Sequence, residues 1–240
     1  MRTRKGRLGL RLTLAGLAAA LVMIPFNLLL VVARRPVNAL DAGAAWNLHE
    51  YALAHPDVTR LLIVWTDLFG PWPWRIAVIT YAAWLLHKGA PRLAAWAVTT
   101  VTVGGLLGLA LKIILARARP HLPDPVALAP GDSFPSGHTV NVTLGAGVIV
   151  LLVLPMLSRW EKVLAWVLAC FLVVSVGYTR IALGVHWVSD VAAGIVLGVA
   201  VIAATTAAFE TWRREQGRRP ASPPADGVEP ESMRVTHDQN

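Results

Sequence analysis

Cysteine is nearly missing from this chain. Its single copy, Cys170, lies inside an apolar run, so there is no disulfide framework, cysteine metal cluster or redox motif, and packing is the role left to it. Charge is scarce too: 14 Asp and Glu and 22 Lys and Arg make up only 15% of the 240 residues. Too few polar groups remain to coat a soluble globule. Apolar surface takes their place, with 55% hydrophobic residues and a mean hydropathy of +0.56. A net charge of +8 would suit a nucleic-acid binder, yet the basic residues gather at the two ends, "MRTRKGR" and "RREQGRR", beside hydrophobic runs. Cytoplasmic flanks of a membrane protein explain that clustering, so the expected partner is a lipid bilayer and not nucleic acid.

A spanning helix needs about 20 apolar residues. Such segments run from Leu8 to Val32, Leu61 to Leu86, Leu93 to Leu115, Thr139 to Leu157, Val163 to Tyr178 and Val188 to Phe209. The second is interrupted by "FGPWPWR" (Phe69 to Arg75), whose prolines predict one long bent span or a short span with an outer extension. The first follows a basic stretch, as a secretory signal would, but exceeds a signal's apolar core and precedes further spans. The expected fold is therefore all-α: a polytopic membrane helical bundle of about six transmembrane helices, multi-pass in the cell membrane, over residues 1–212. Residues 213–240, rich in Pro, Ser and charge, read as a disordered tail.

With six spans, "MRTRKGR", "HKGAPR", "SRWEK" and "WRREQGRR" share one face, the cytoplasmic one by the positive-inside rule, together with both termini. Arg34, Arg35, Arg60, Arg117, Arg119 and Arg180 fall on the opposite face, which is an excess that needs another explanation. Between the first two spans, "NALDAGAAWNLHEYALAHPD" carries Trp46 and Tyr51 and reads either as a helix lying in the interface or as a plain connector.

The same topology gathers polar residues. Lys112 and Arg119 close the third span, Ser136 and His138 open the fourth, Arg180 closes the fifth, and His186 and Asp190 open the sixth. All reach one membrane face, and charge at a membrane boundary is costly enough to mark function. Lys112 and Arg119, seven residues apart, would point to one side of a helix about 10 Å apart along its axis, with Pro120 as the stop. Read alone, they are two snorkelling cations. With Arg180 and a helix N-terminus they make a site for a phosphate-like dianion. His186 and Asp190 stand at i and i+4, where a carboxylate can hold one ring nitrogen and free the other to attack. Pro135 and Ser136 start a helix, Gly137 leaves room for an oxygen to approach the backbone amides, and His138 is placed to transfer a proton to a leaving oxygen. Three crowded cations would repel a divalent ion, so neither a metal nor another cofactor is expected, although His121, His49 and His55 are further ring donors.

"KIILARARP" (Lys112 to Pro120), "PSGH" (Pro135 to His138) and "TRIALGVHWVSD" (Thr179 to Asp190) resemble the three-part signature of the type 2 phosphatidic acid phosphatase superfamily of lipid phosphate phosphatases. The motif core is 112–190; Thr179 stands where that family usually has serine. The resemblance implies an active site at the extracytoplasmic face, with His186 attacking phosphorus to form a phosphohistidine, Asp190 orienting it and His138 protonating the leaving group. Lys112, Arg119, Ser136, the Gly137 amide and Arg180 would hold the phosphoryl oxygens, without a metal. Undecaprenyl diphosphate, phosphatidate and phosphatidylglycerophosphate are substrates in the family's range. A lipid phosphotransferase using the same intermediate, or an anionic-lipid transporter with "FGPWPWR", Asp67 and Arg75 in its path, remain as alternatives. A helix contact is expected at Gly104 and Gly108. The motif Asn141-Val142-Thr143 fits a glycosylation sequon but falls inside a span. Oligomeric state is not encoded in any of these patterns.

Overall fold

The computed structural model describes residues 39–234, so the expected first span, Leu8 to Val32, and Arg34 and Arg35 lie outside the described residues. The chain forms helices α1 (Ala39–Ala54), α2 (Pro56–Leu68), α3 (Pro71–His87), α4 (Pro91–Leu115), α5 (Gly137–Val153), α6 (Arg159–Ala182) and α7 (Val188–Glu215), then two short turns of helix, α8 (Pro223–Asp226) and α9 (Pro230–Arg234). No strand occurs among the described residues. Helices α2, α3 and α4 each open on proline, which lacks the N–H that a first turn would leave unpaired. Ser158 opens α6 with a capping box, its backbone N–H donating to Glu161 Oε2 at 2.7 Å.

Among the described residues four helices are long and apolar enough to cross a membrane: α4, α5 with its 3-10 extension to Met156, α6 and α7. The interrupted second segment is broken rather than bent. Gly70 N–H closes α2 on the Asp67 carbonyl, and Pro71 starts α3. The resulting helices have 13 and 17 residues. The segment before them is helical, and α1 leaves Trp46 and Tyr51 half exposed while burying Asp41, Ala45, His49 and Ala52.

Helix α5 is the axis, with α3, α4, α6 and α7 packed around it. It is apolar on every side and the most buried of the four, as a helix surrounded by others must be. Gly104 of α4 is where the expected close contact falls, because a methyl there would come within 2.9 Å of a Leu144 side-chain carbon of α5. That contact joins helices of one chain. Asn141, the sequon asparagine, lies inside α5 and donates to the Gly137 carbonyl at 2.8 Å.

Composition after Arg213 points to disorder, yet the residues described there make specific contacts. Val228 and Glu229 are buried, Val228 N–H donates to the Leu151 carbonyl at 3.2 Å, and Trp166 and Lys162 donate to the carbonyls of Pro224 and Ala225. Arg213, 2% exposed, joins Glu210 of its own helix to Glu231, each at 2.5 Å. One buried apolar side chain, Val228, and a buried cation, Arg213, supply an anchor that a compositional average hides.

Candidate active site

The ends of α4 and α6 and the starts of α5 and α7 meet at one end of the bundle and bring together the candidate residues. His186 lies just before α7 and not on its first turn, since the helix begins at Val188. The i, i+4 pair with Asp190 nevertheless forms, with His186 Nδ1 3.4 Å from Asp190 Oδ2. Asp190 is fully buried, and its Oδ2 also accepts from Ser133 Oγ at 2.5 Å and from the Trp187 N–H at 2.9 Å. The other ring nitrogen of His186, Nε2, faces Arg119 NH1 at 3.1 Å. A guanidinium can only donate, so Nε2 must present its lone pair and Nδ1 must carry the ring proton towards Asp190. The structure therefore fixes the tautomer from both sides.

Arg119 is not on a helix face with Lys112. Helix α4 stops at Leu115, where Ala116 turns left-handed (φ 42) and returns its N–H to the Lys112 carbonyl at 3.0 Å. The Arg117 carbonyl then accepts from Ser133 N–H at 2.7 Å, which draws the chain off the helical path. Arg119 thus arrives from a loop and spends four donors on carbonyls: Gly131 at 2.8 Å, Pro130 at 3.0 Å, Asp132 at 3.1 Å and Val185 at 2.6 Å. A guanidinium has five N–H groups, and the fifth is the one aimed at His186. Lys112 donates to the Asp132 carbonyl, so both cations hold the same stretch of loop.

Helix α5 starts as the "PSGH" motif anticipates. Ser136 is its cap residue, fully buried, with its N–H on the Asp190 carbonyl at 3.1 Å and its Oγ accepting from Thr139 Oγ1 at 3.0 Å. A methyl placed on Gly137 would meet nothing within 4 Å. Open space therefore lies beside the first amides of the helix, where an anion is favoured. Arg180 is 7% exposed, donates to Thr66 Oγ1 of α2 at 3.1 Å, and keeps its Nε buried without a partner. An orphaned buried cationic donor is the mark of a site that expects an anion. The α2–α3 break lies beside His138, since a methyl on Gly70 would sit 3.5 Å from His138 Nε2.

Three participants escape the motif reading. Arg117 is buried and donates to Asp190 Oδ1 at 2.6 Å and to Ser189 Oγ at 2.7 Å. It also reaches Asp41 Oδ2 of α1 at 3.1 Å. Ser133 is the third. The one signal in the sequence was the surplus of arginines on this face, which Arg117 and Arg180 resolve by being buried. His49 donates to the Pro123 carbonyl at 2.6 Å, and His55 and His121 are exposed. Among the described residues no group of His, Cys, Asp or Glu is arranged to hold a metal ion. Arg75 donates to Asn141 Oδ1 at 3.2 Å.

The helical bundle thus gathers an oriented histidine, a buried carboxylate and several cations beside an open helix start, an arrangement suited to an anion. Sequence comparison gives the family: residues 93–214, just over half of the chain, match the PAP2 superfamily, to which the chain belongs. It is 35% identical over 119 residues to an undecaprenyl-diphosphatase of Sulfolobus acidocaldarius, covering 48% of this chain and 54% of the relative. It is 38% identical over 97 residues to phosphatidylglycerophosphatase B of Bacillus subtilis, covering 39% and 47%. The chain thus spans about half the length of these curated relatives. The crystal structure of a transmembrane PAP2-type phosphatidylglycerolphosphate phosphatase from Bacillus subtilis shares the fold, with a TM-score of 0.67 at 24% identity over 83% of this chain and 98% of that one.

Proposed function

We propose that this protein is an integral membrane phosphatase that removes phosphate from a lipid phosphate or diphosphate, by a metal-independent route through a phosphohistidine on His186. The observation that carries the reading is the tautomer of His186, with Nε2 presenting its lone pair beside Arg119 and Nδ1 backed by Asp190. The substrate phosphate takes over the Arg119 N–H now directed at the ring. The orphaned Arg180 Nε, Lys112, Ser136 and the Gly137 amide supply further donors for the equatorial oxygens, where transition-state charge collects. Nε2 attacks phosphorus, an N–P bond forms, and the bond from phosphorus to the bridging oxygen breaks while His138 delivers a proton to that oxygen. Water then attacks phosphorus, the N–P electron pair returns to Nε2, and His138 recovers a proton from the water.

The tail of the substrate remains in the bilayer while its phosphate reaches an extracytoplasmic site, with both termini of the chain on the cytoplasmic side. Phosphate release from a panel of lipid phosphates and diphosphates, in detergent with chelator, tests the reading against His186→Ala. Chelator-resistant release that the variant loses supports it. Release shared by both proteins, or abolished by chelator, overturns it. A phosphoenzyme that persists until an alcohol acceptor is added would make the protein a transferase.

A further inference from the structure

Resting on the reading of His186 as nucleophile and Asp190 as its orienting carboxylate, we infer that Arg117 and Asp41 form a positioning pair that aims Asp190 at His186. Asp190 has two oxygens with separate duties. Oδ2 faces the His186 ring, and Oδ1 is held by Arg117 NH1 at 2.6 Å. Rotation of the carboxylate about its last bond would carry Oδ2 away from the ring, and the Arg117 contact fixes that rotation. Arg117 could not do this alone without a cost. An uncompensated guanidinium in contact with Asp190 would neutralise the charge that must stabilise the developing imidazolium of His186.

Asp41 resolves that conflict. Its Oδ2 accepts from Arg117 NH2 at 3.1 Å and from Ser189 Oγ at 2.6 Å, while Oδ1 accepts from the Ser189 backbone N–H at 2.9 Å. Both carboxylates and the guanidinium are buried: Asp41 and Asp190 are fully so, and Arg117 is 9% exposed. Asp41 sets a second carboxylate against Arg117, so Asp190 does not face the charge of that guanidinium alone. Ser189, adjacent in sequence to Asp190, is bound by Arg117 and Asp41 together, so the start of α7 is fixed to α1. Trp187 packs over the outer side of Arg117, with its ring centre 5.9 Å from the guanidinium carbon.

Asp41 lies outside residues 93–214, the part of the chain that carries the family match. Helix α1 is therefore part of the catalytic apparatus through this residue, and not a plain connector. The role is one of positioning, since neither Arg117 nor Asp41 touches the reacting nitrogen.

The test compares wild type, Asp41→Asn, Asp41→Glu and Arg117→Lys by steady-state kinetics on a lipid phosphate and by rapid-quench measurement of phosphoenzyme formation. Asp41→Asn keeps the size of the side chain and removes its charge. It is expected to lower kcat and the rate of phosphoenzyme formation by about 10-fold or more, with KM within about twofold, because the effect falls on the nucleophile and not on phosphate binding. Asp41→Glu should recover part of the loss, and Arg117→Lys should lose kcat in the same way, since a single nitrogen does not reproduce the fork that sets NH1 on Asp190 and NH2 on Asp41. An unchanged kcat in Asp41→Asn, a rise in KM with kcat retained, or equal losses in the Asn and Glu variants would overturn the positioning role. If wild type forms no phosphoenzyme while His186→Ala stays inactive, the nucleophile assignment fails instead. Thermal unfolding in detergent accompanies each variant; loss of folded protein in proportion to lost activity counts against the proposal.

Discussion

Arg119 donates to Nε2 of His186 at 3.1 Å while its remaining donors are tied to the carbonyls of residues 130, 131, 132 and 185. One side chain thus shapes the loop between α4 and α5 and presents a single N–H at His186, the proposed nucleophile. A lysine in its place has a point charge and three donors on a flexible stem, too few to hold that loop. Arg119→Lys is expected to lower kcat/KM by about 10²-fold, the scale of losing one preorganised donor at a transition-state oxygen. Steady-state phosphate release measures it, and a variant within about twofold of wild type would remove Arg119 from the machinery.

His186 lies well below its ordinary value of 6.5, at about 4, chiefly because burial disfavours the imidazolium. Asp190 pulls the other way through its hydrogen bond and charge, and Arg119 and Arg180 add to the lowering. The neutral ring is the form proposed to attack phosphorus, so it stays competent as pH falls through the ordinary histidine range and is lost only near 4. A group lowered on folding binds more protons when unfolded. Its contribution to stability is full above 6.5 and declines as pH falls towards about 4. A nitrogen-15 NMR titration, with His186 assigned by comparison with His186→Ala, reads this directly. A midpoint for His186 at 6.5 or above would contradict it.

Much of the site is legible because its chemistry is local. The sequence "PSGH" announces a helix start with room for an anion, and the structure has Ser136 as the cap and open space at Gly137. The i, i+4 spacing of His186 and Asp190 brings them together even though the helix begins two residues after His186. Arg119 leaves the helical register because α4 ends at Leu115, and Ala116 after it is a good helix former that carries no breaking signal. The next residue, Arg117, is bound to Ser133 and Asp190, neighbours that spacing cannot reveal. Asp41 was hidden for the same reason: it meets Ser189 across 148 positions of sequence. The interruption at Phe69 to Arg75 was legible as a kink or a break, but its position beside His138 was not.

Gly194 of α7 crosses the first turn of α5 with no room to spare. A methyl there would lie 3.0 Å from the Ser136 carbonyl and 3.2 Å from the Val140 N atom, both backbone atoms that cannot swing aside. Gly194→Ala should separate the start of α5 from the helix carrying Asp190, destabilising the protein by about 1–3 kcal/mol, the usual cost of overpacking. Activity should fall more steeply than stability, because Ser136 N–H is bonded to the Asp190 carbonyl. Paired thermal unfolding and phosphate-release measurements test both halves of the expectation. Unchanged activity at wild-type stability would show that the helices separate without disturbing the site.

Gly70 tests the other wall. Its φ is −74°, which any residue adopts, so a substitution adds bulk without backbone strain. The added carbon meets the Thr66 and Asp67 carbonyls at 3.2 Å and His138 Nε2 at 3.5 Å. Gly70→Val places two further methyl groups beside that nitrogen, on the residue proposed to protonate the leaving oxygen. Protonation matters most for a poor leaving group, so the substitution should slow release from an alkyl phosphate by about 10²-fold, at the lower end of what general acid catalysis supplies. An aryl phosphate ester, whose phenolate departs without help, should lose far less. The ratio of the two rates separates damage to proton transfer from damage to phosphate binding. Equal losses on both substrates would mean that Gly70 shapes the phosphate pocket and leaves His138 untouched.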